Sequence, residues 1–287
     1  MGIEQSASEV KLTTSGGASV RILRFGATVL SWKTTDGQEQ LWLSEKAILD
    51  GSKAVRGGIP LVFPVFGKAT EGPCANLPQH GFARNHEWEF LGQVNESPLT
   101  VQFGLGPENL SAAAKEQWGY DFTLIYTITL EDDKLTTALT VENTDKKPFD
   151  FNVLYHTYFR IPDISSVHVE GLSGAAVVDK VSKSNYSAEE TNVTVAGEVD
   201  RVYQDVNPSP VKIVSNGKPK LSLENRKNLP DMVVWNPWTE KAEGLADFYP
   251  KDGFKQMICA ETGAVGKWVP IQPGEKWESS QTLEAHL

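Results

Sequence analysis

Apolar residues in this chain fall mostly into short runs or strict alternation with polar ones, the pattern of strands with one buried face. It is clearest over residues 122–130, where Phe122, Leu124, Tyr126, Ile128 and Leu130 alternate with mostly threonine. Beyond Asp132 and Asp133, Leu135, Leu139 and Val141 keep the same period of two, which predicts a pair of antiparallel strands. Between 19 and 44 the runs SVRILRF, ATVLSW and QLWLS are broken by Gly26 and by Asp36-Gly37, a dipeptide suited to a tight hairpin, and they predict a meander. Further strands are expected in EWEFLGQV, LTVQFGL, FDFNVLYHTYF, VHVEG, AAVVD, VTVAG and VKIVS, the last joined to KPKLSLE by the hairpin dipeptide Asn216-Gly217. PENLSAAAKEQW has helical composition, with Pro107 suited to a first helical position. Many short strands beside one modest helix predict an all-β fold, a large antiparallel β-sandwich with few short helices.

One stretch departs from this pattern: Arg56-Gly-Gly-Ile-Pro-Leu-Val-Phe-Pro-Val-Phe-Gly67. Gly57 and Gly58 free the backbone beside a cation, Pro60 and Pro64 cannot donate to a sheet ladder, and the large apolar residues demand burial. A second cationic stretch follows, Gln79-His80-Gly81-Phe82-Ala83-Arg84. Either arginine has a plain use in a structural ion pair. A guanidinium fork held in glycine and proline loops also suits a phosphate or a carboxylate.

Composition narrows the possibilities. The 287 residues contain no repeat, low-complexity tract or linker, so one sandwich domain over 1–287 is expected. No apolar run is long enough to cross a bilayer, and the N-terminus lacks the features of a secretory signal. Two isolated cysteines, Cys74 and Cys259, form neither a disulfide framework nor a CxxC pair, so a cytoplasmic chain with reduced thiols is expected. With 27 basic and 37 acidic residues the formal charge is −10, which disfavours nucleic acid and makes any anion site depend on local cations.

Four further positions offer chemistry. His156 lies in an apolar, aromatic strand, where it serves equally as a core histidine bonded to a carbonyl. Glu261 ends the run Met257-Ile-Cys-Ala-Glu261, and a carboxylate at the end of an interior approach needs a partner or a task. Asp205, close to Asn207-Pro208, also reads as a turn residue. Trp235-Asn-Pro-Trp238 is a rigid aromatic loop, suited to a packed turn or to the wall of a sugar pocket.

Taken in order and spacing, RGGIPLVFPVFG, LPQHGFAR, NVLYHTYFRI, VVWNPW and MICAETG resemble the glucose-6-phosphate 1-epimerase family, the hexose-phosphate mutarotase branch of the aldose 1-epimerase superfamily. The resemblance covers nearly the whole chain and implies a galactose mutarotase-like β-sandwich. By motif it implies His156 and Glu261 as the catalytic acid and base, and Arg56, Gln79, Arg84 and Asp205 as substrate-binding residues. One departure is Thr262, where the family has proline after the glutamate; it leaves the carboxylate in place and predicts a less rigid backbone beyond it.

The implied reaction needs a base at O1 and an acid at O5, assigned to Glu261 and His156, with no metal and no organic cofactor. The scattered histidines show no metal-ligand spacing in sequence. Arg56 and Arg84 would hold the 6-phosphate, Asp205 the ring hydroxyls, and Gln79 the sugar or its loop. The expected partner is a small-molecule hexose 6-phosphate, with no nucleic acid, no membrane and a monomeric chain. Two other classes fit the residues less fully: a glycoside hydrolase using Asp205 and Glu261 as its carboxylate pair, and a non-catalytic sugar-phosphate binding module or sensor.

Overall fold

The computed structural model describes residues 2–286. The alternation over 122–130 becomes the strand Phe122–Leu130, paired antiparallel with Lys134–Asn143 in the expected register, Leu130 opposite Leu135. Both belong to a nine-stranded sheet that runs from Asn192–Thr194 at one edge to Glu89–Asn95 at the other. An eight-stranded sheet faces it. There Met257–Ile271 lies between Asp231–Asn236 and Phe149–Tyr155, and Val199–Gln204 is the next strand out beyond Asp231–Asn236. A four-stranded antiparallel sheet of residues 2–33 completes the fold; its first two strands, Gly2–Gln5 and Glu9–Thr13, were not expected from the sequence.

The main core lies between the two large sheets. One face of the eight-stranded sheet contributes Val153, Tyr155, Met232, Val234, Ile258 and Ala260, against Leu124, Tyr126, Leu139 and Leu283 of the nine-stranded sheet. Polar bridges cross the gap too: Tyr155 meets Ser279 at 2.9 Å, and Thr262 Oγ1 donates to Gln281 Oε1 at 2.6 Å. These four buried polar side chains are tolerated there because each has a partner.

The other face of the same sheet is buried as well. Val62, Leu154, Val202, Val233, Trp235 and Cys259 pack there with Trp42 and Phe248 into a second cluster. Because side chains alternate along a strand, every second residue of three neighbouring strands is delivered to that second face. The site is built on it.

Helix is sparse, as expected, but differently divided. Residues 107–118 break into a 3-10 turn, Pro107–Asn109, and a short helix, Ala112–Trp118, whose N-cap Ser111 accepts from the Ala114 N–H at 3.2 Å. The proline-containing aromatic loop runs into a second helix, Trp238–Gly244. At the second predicted hairpin, Asn216 and Gly217 both take positive φ between paired Ser215 and Lys218, the conformation such turns require. Among the described residues no helix is long and apolar enough to cross a membrane.

Candidate active site

The Arg56 stretch is irregular apart from the two-residue strand Leu61–Val62. Gly58 has φ +66°, and a Cβ there would overlap the Val29 carbonyl oxygen. Gly81, φ +71°, sits equally tight on the Phe63 carbonyl, and Phe82 N–H donates to that oxygen at 3.0 Å. Glycine at these two positions lets the Arg56 and Arg84 segments pack directly on neighbouring backbone.

Arg56, Gln79, Arg84, His156 and Glu261 all line one cavity of about 230 Å3. His156 follows Phe149–Tyr155 and precedes Tyr158–Arg160, both of which pair with Met257–Ile271. Tyr155 lies opposite Thr262 and Tyr158 opposite Cys259, so the shared register sets His156 across from Glu261. Their Nδ1 and Oε1 atoms stand 3.2 Å apart, with side-chain exposures of 12% and 1%. The pair is close without hydrogen-bond alignment, and Nδ1 and both carboxylate oxygens are left buried without a partner. Such atoms, facing a cavity, are free to bond a ligand.

The imidazole plane is fixed by stacking. Tyr158 lies parallel to His156 at 4.7 Å and 6°, Trp42 stacks beyond Tyr158, and Phe248 beyond Trp42. Trp235 meets His156 edge-on at 6.1 Å. Burial, with the neighbouring His80 ring and the charges of Arg84 and Arg56, drives His156 well below the usual imidazole range. Burial and the Asp200 charge push Glu261 well above the carboxylate range, against the pull of Lys180 and Arg84. Both shifts favour the uncharged forms of the two groups.

The two arginines are held differently. Arg56 Nε donates to Asp247 Oδ1 at 3.2 Å and NH1 donates to the Tyr158 hydroxyl at 3.3 Å. Burial works against this cation, but Tyr158 and Asp247 more than offset it and raise its pKa. Arg84 donates to the Gln79 carbonyl at 3.0 Å and leaves Nε buried without a partner. Burial, with the Arg56 charge beside it, pushes Arg84 down to about 10. A cation so placed gains from any anion that enters.

Asp205 is not in this cavity. It follows the strand Val199–Gln204 with φ +51°, extends into solvent, accepts from Lys267 Nζ at 3.1 Å, and lines a separate cavity of about 460 Å3. The structure thus does not bring Asp205, expected to bind substrate, together with the other five residues: its place at the turn after Val199–Gln204 aims it away. The acid that enters the site from that strand is Asp200, flanked by Lys180 and Lys241 at 3.8 Å each. Burial raises the Asp200 pKa and lowers that of Lys180, whose Nζ also rests 3.9 Å over the Phe66 ring. Asp200, Val202 and Gln204 share a strand face by alternation, and an acid on a face that continues into a buried valine was the signal available in sequence.

His80 was also missed, although it stands between Gln79 and Arg84. Its Nδ1 accepts from the Gly67 N–H at 3.1 Å, its ring meets His156 edge-on at 5.9 Å, and burial with the Arg84 charge pushes it down to about 3. It is a neutral acceptor that pins the Arg56 segment to the Arg84 segment. Of the two loop tryptophans only Trp235 reaches the cavity; Trp238 packs on Phe254. Thr262 does not loosen the chain, because it is paired on both sides, with Tyr155 and Met232, and its hydroxyl is bonded to Gln281. His156, Cys259 and Glu261 bring donor atoms within 4.8 Å of one another, a grouping that sequence spacing does not display.

A sheet of this kind, carrying an imidazole–carboxyl pair in a cationic cavity, defines a sugar isomerase fold with many solved relatives. The chain belongs to the aldose 1-epimerase family, whose model matches residues 8–284. A relative from Cenchrus ciliaris, named "Putative glucose-6-phosphate 1-epimerase", is 36% identical over 96% of this chain and 84% of its own length. A protein of Escherichia coli (strain K12) with the same name is 30% identical over 83% and 76%. Among solved structures, a Salmonella typhimurium "putative mutarotase" superposes with TM-score 0.83 at 26% identity, covering 99% of this chain and 93% of that one. A galactose mutarotase-like protein of Lactobacillus casei, 17% identical, shares the fold with TM-score 0.71 over the full length of both chains.

Proposed function

We propose that this chain interconverts the α and β anomers of D-glucose 6-phosphate, and of related hexose 6-phosphates, in the cytoplasm. The observation that carries the proposal is the 3.2 Å approach of His156 Nδ1 to Glu261 Oε1 in the cavity that Arg56 and Arg84 line. The names borne by the relatives point to the same substrate.

Glu261, as carboxylate, takes the proton from O1–H while His156, as imidazolium, gives one to O5. The C1–O5 bond breaks, C1 becomes the aldehyde carbon and O5 a free hydroxyl. After rotation about C1–C2, O5 adds to the other face of the carbonyl, its proton returns to His156, and Glu261 returns a proton to O1. The pair begins and ends each turnover with one proton in total. Burial by itself favours the neutral imidazole and the protonated carboxyl. Sugar hydroxyls donating to the unpartnered carboxylate oxygens favour the ionised carboxylate, and a phosphate dianion beside Arg56 and Arg84 offsets two charges that oppose the imidazolium.

Arg84 is the principal phosphate ligand, with Arg56 behind it; Asp200 and Lys180 face the ring hydroxyls, and Gln79 borders the phosphate end. The carboxylate pair that a glycoside hydrolase would need is separated, because Asp205 lines a different cavity from Glu261. Saturation-transfer NMR on glucose 6-phosphate tests the proposal directly. Loss of about 100-fold or more of anomer exchange is expected in His156→Ala and in Glu261→Ala. Wild-type exchange in either variant would refute the acid–base roles, and tight binding by the native chain without faster exchange would make it a binding module.

A further inference from the structure

Cys259 lies directly beneath the site, two residues before Glu261 on the same strand face and opposite Tyr158 in register. Its sulfur, an imidazole nitrogen of His156 and a carboxylate oxygen of Glu261 all lie within 4.8 Å of one another. Cys259 and Glu261 are buried and His156 nearly so. Independently, His156 Nδ1 and both oxygens of Glu261 are buried without any hydrogen-bond partner.

We infer that this group takes up one soft divalent transition-metal ion, with Zn2+ the best match, and that the ion and the sugar phosphate exclude one another. The second half rests on the acid–base roles proposed above; the first does not.

The donor set selects the ion. One sulfur, one imidazole nitrogen and one carboxylate oxygen match four-coordinate zinc with its last position open, whereas calcium and magnesium require more oxygen ligands than are present. A tetrahedral ion would draw the three donors inward by about 1 Å, within reach of small side-chain rotations. Charge agrees as well. Cys259 as thiolate and Glu261 as carboxylate neutralise the divalent ion, so that no third cation is added beside Arg56 and Arg84. Binding releases the Cys259 thiol proton and the Glu261 carboxyl proton to water and leaves His156 neutral, coordinated through one nitrogen. The open position faces the cavity, where water or a sugar hydroxyl would fill it. With His156 and Glu261 engaged in coordination, no base remains for O1 and no acid for O5. The ion is thus an inhibitor and not a cofactor.

Titrating the intact protein with Co2+ tests the binding half without turnover. One equivalent is expected, with the near-ultraviolet charge-transfer band of a cobalt thiolate and the visible bands of four-coordinate cobalt, both abolished by added Zn2+. Cys259→Ser should remove the near-ultraviolet band, keep metal-free anomer exchange within about two-fold, and need at least about ten-fold more Zn2+ for half-inhibition. Glu261→Gln, which keeps the thiol, should bind cobalt more weakly and retain the thiolate band, a second arm should the serine variant fail to fold. No stoichiometric cobalt binding, or a band that survives in Cys259→Ser, would overturn the site. Zinc that binds there yet leaves exchange unslowed would overturn the exclusion, and with it the acid–base roles, while leaving the metal site standing.

Discussion

Asp247 accepts a hydrogen bond from Arg56 Nε at 3.2 Å and holds Lys53 on its other oxygen at 2.8 Å, so Arg56 enters the cavity already paired. Arg84 has no carboxylate of its own within ion-pair distance among the described residues. The free cation should therefore do most of the selecting. Arg84→Ala is expected to lower kcat/KM for glucose 6-phosphate by about 10- to 100-fold, the worth of a hydrogen bond to a charged group. Exchange on unphosphorylated glucose should change far less. An unaltered preference between the two sugars would remove Arg84 from specificity.

Asp200 and Asp205 stand five residues apart and serve different cavities. Asp200→Asn should reduce kcat/KM by about ten-fold or more, through the loss of a charged acceptor for ring hydroxyls. Asp205→Asn, which disturbs only an exposed contact with Lys267, should stay within about two-fold. The reverse order would restore the sequence-based assignment of Asp205.

The buried pair also predicts how stability varies with pH. Glu261 has a folded-state pKa raised above its ordinary 4.5, first by burial, so its contribution is fully present below that value and is lost as pH rises through the folded value. His156 is depressed below its ordinary 6.5, again first by burial, so its contribution is present above that value and is lost as pH falls. Glu261→Gln removes only the first effect. Thermal melts from pH 4 to 9 should show the variant gaining on the wild type as pH rises beyond about 4.5. A gap that does not vary with pH would show that Glu261 ionises normally in the folded chain.

Gly81, like Gly58, is in the tightest backbone contact at the site. Gly81→Ala must place a methyl group against the Phe63 carbonyl while keeping positive φ, and should cost about 3 kcal/mol in a denaturant or thermal unfolding experiment. A loss under about 0.5 kcal/mol would mean that the loop shifts freely.

Much of the fold was legible because period-two alternation is local: Phe122–Leu130 and Lys134–Asn143 announce both their strands and their pairing. The first strand was not legible, since residues 2–5 pair at an exposed edge and carry little apolar signal, and in the second the alternation of Val10 and Leu12 spans only five residues. At the site, Arg56, Arg84, His156 and Glu261 stood out because each is a polar group set in apolar or glycine-rich sequence. Asp200 and Lys180 did not, for each resembles a charge on a solvated strand until the other strands of the sheet are known to bury that face. Asp205, which the sequence did single out, lies apart from the cavity for a local reason. One residue of backbone beyond the strand, at positive φ, was enough to turn it outward.

Met257–Ile271 lies in the middle of its sheet, between strands that precede it in the chain by twenty residues and by more than a hundred. During synthesis, Phe149–Tyr155 and Asp231–Asn236 leave the ribosome with the gap between them unfilled, each exposing an unpaired edge until the strand bearing Glu261 arrives. The slow, long-range closure of that gap is also the step that creates the cavity. Recovery of anomer exchange on refolding should thus mark the closure of that gap, and a nascent chain stopped short of residue 257 would hold both arginines and the histidine yet have no complete site.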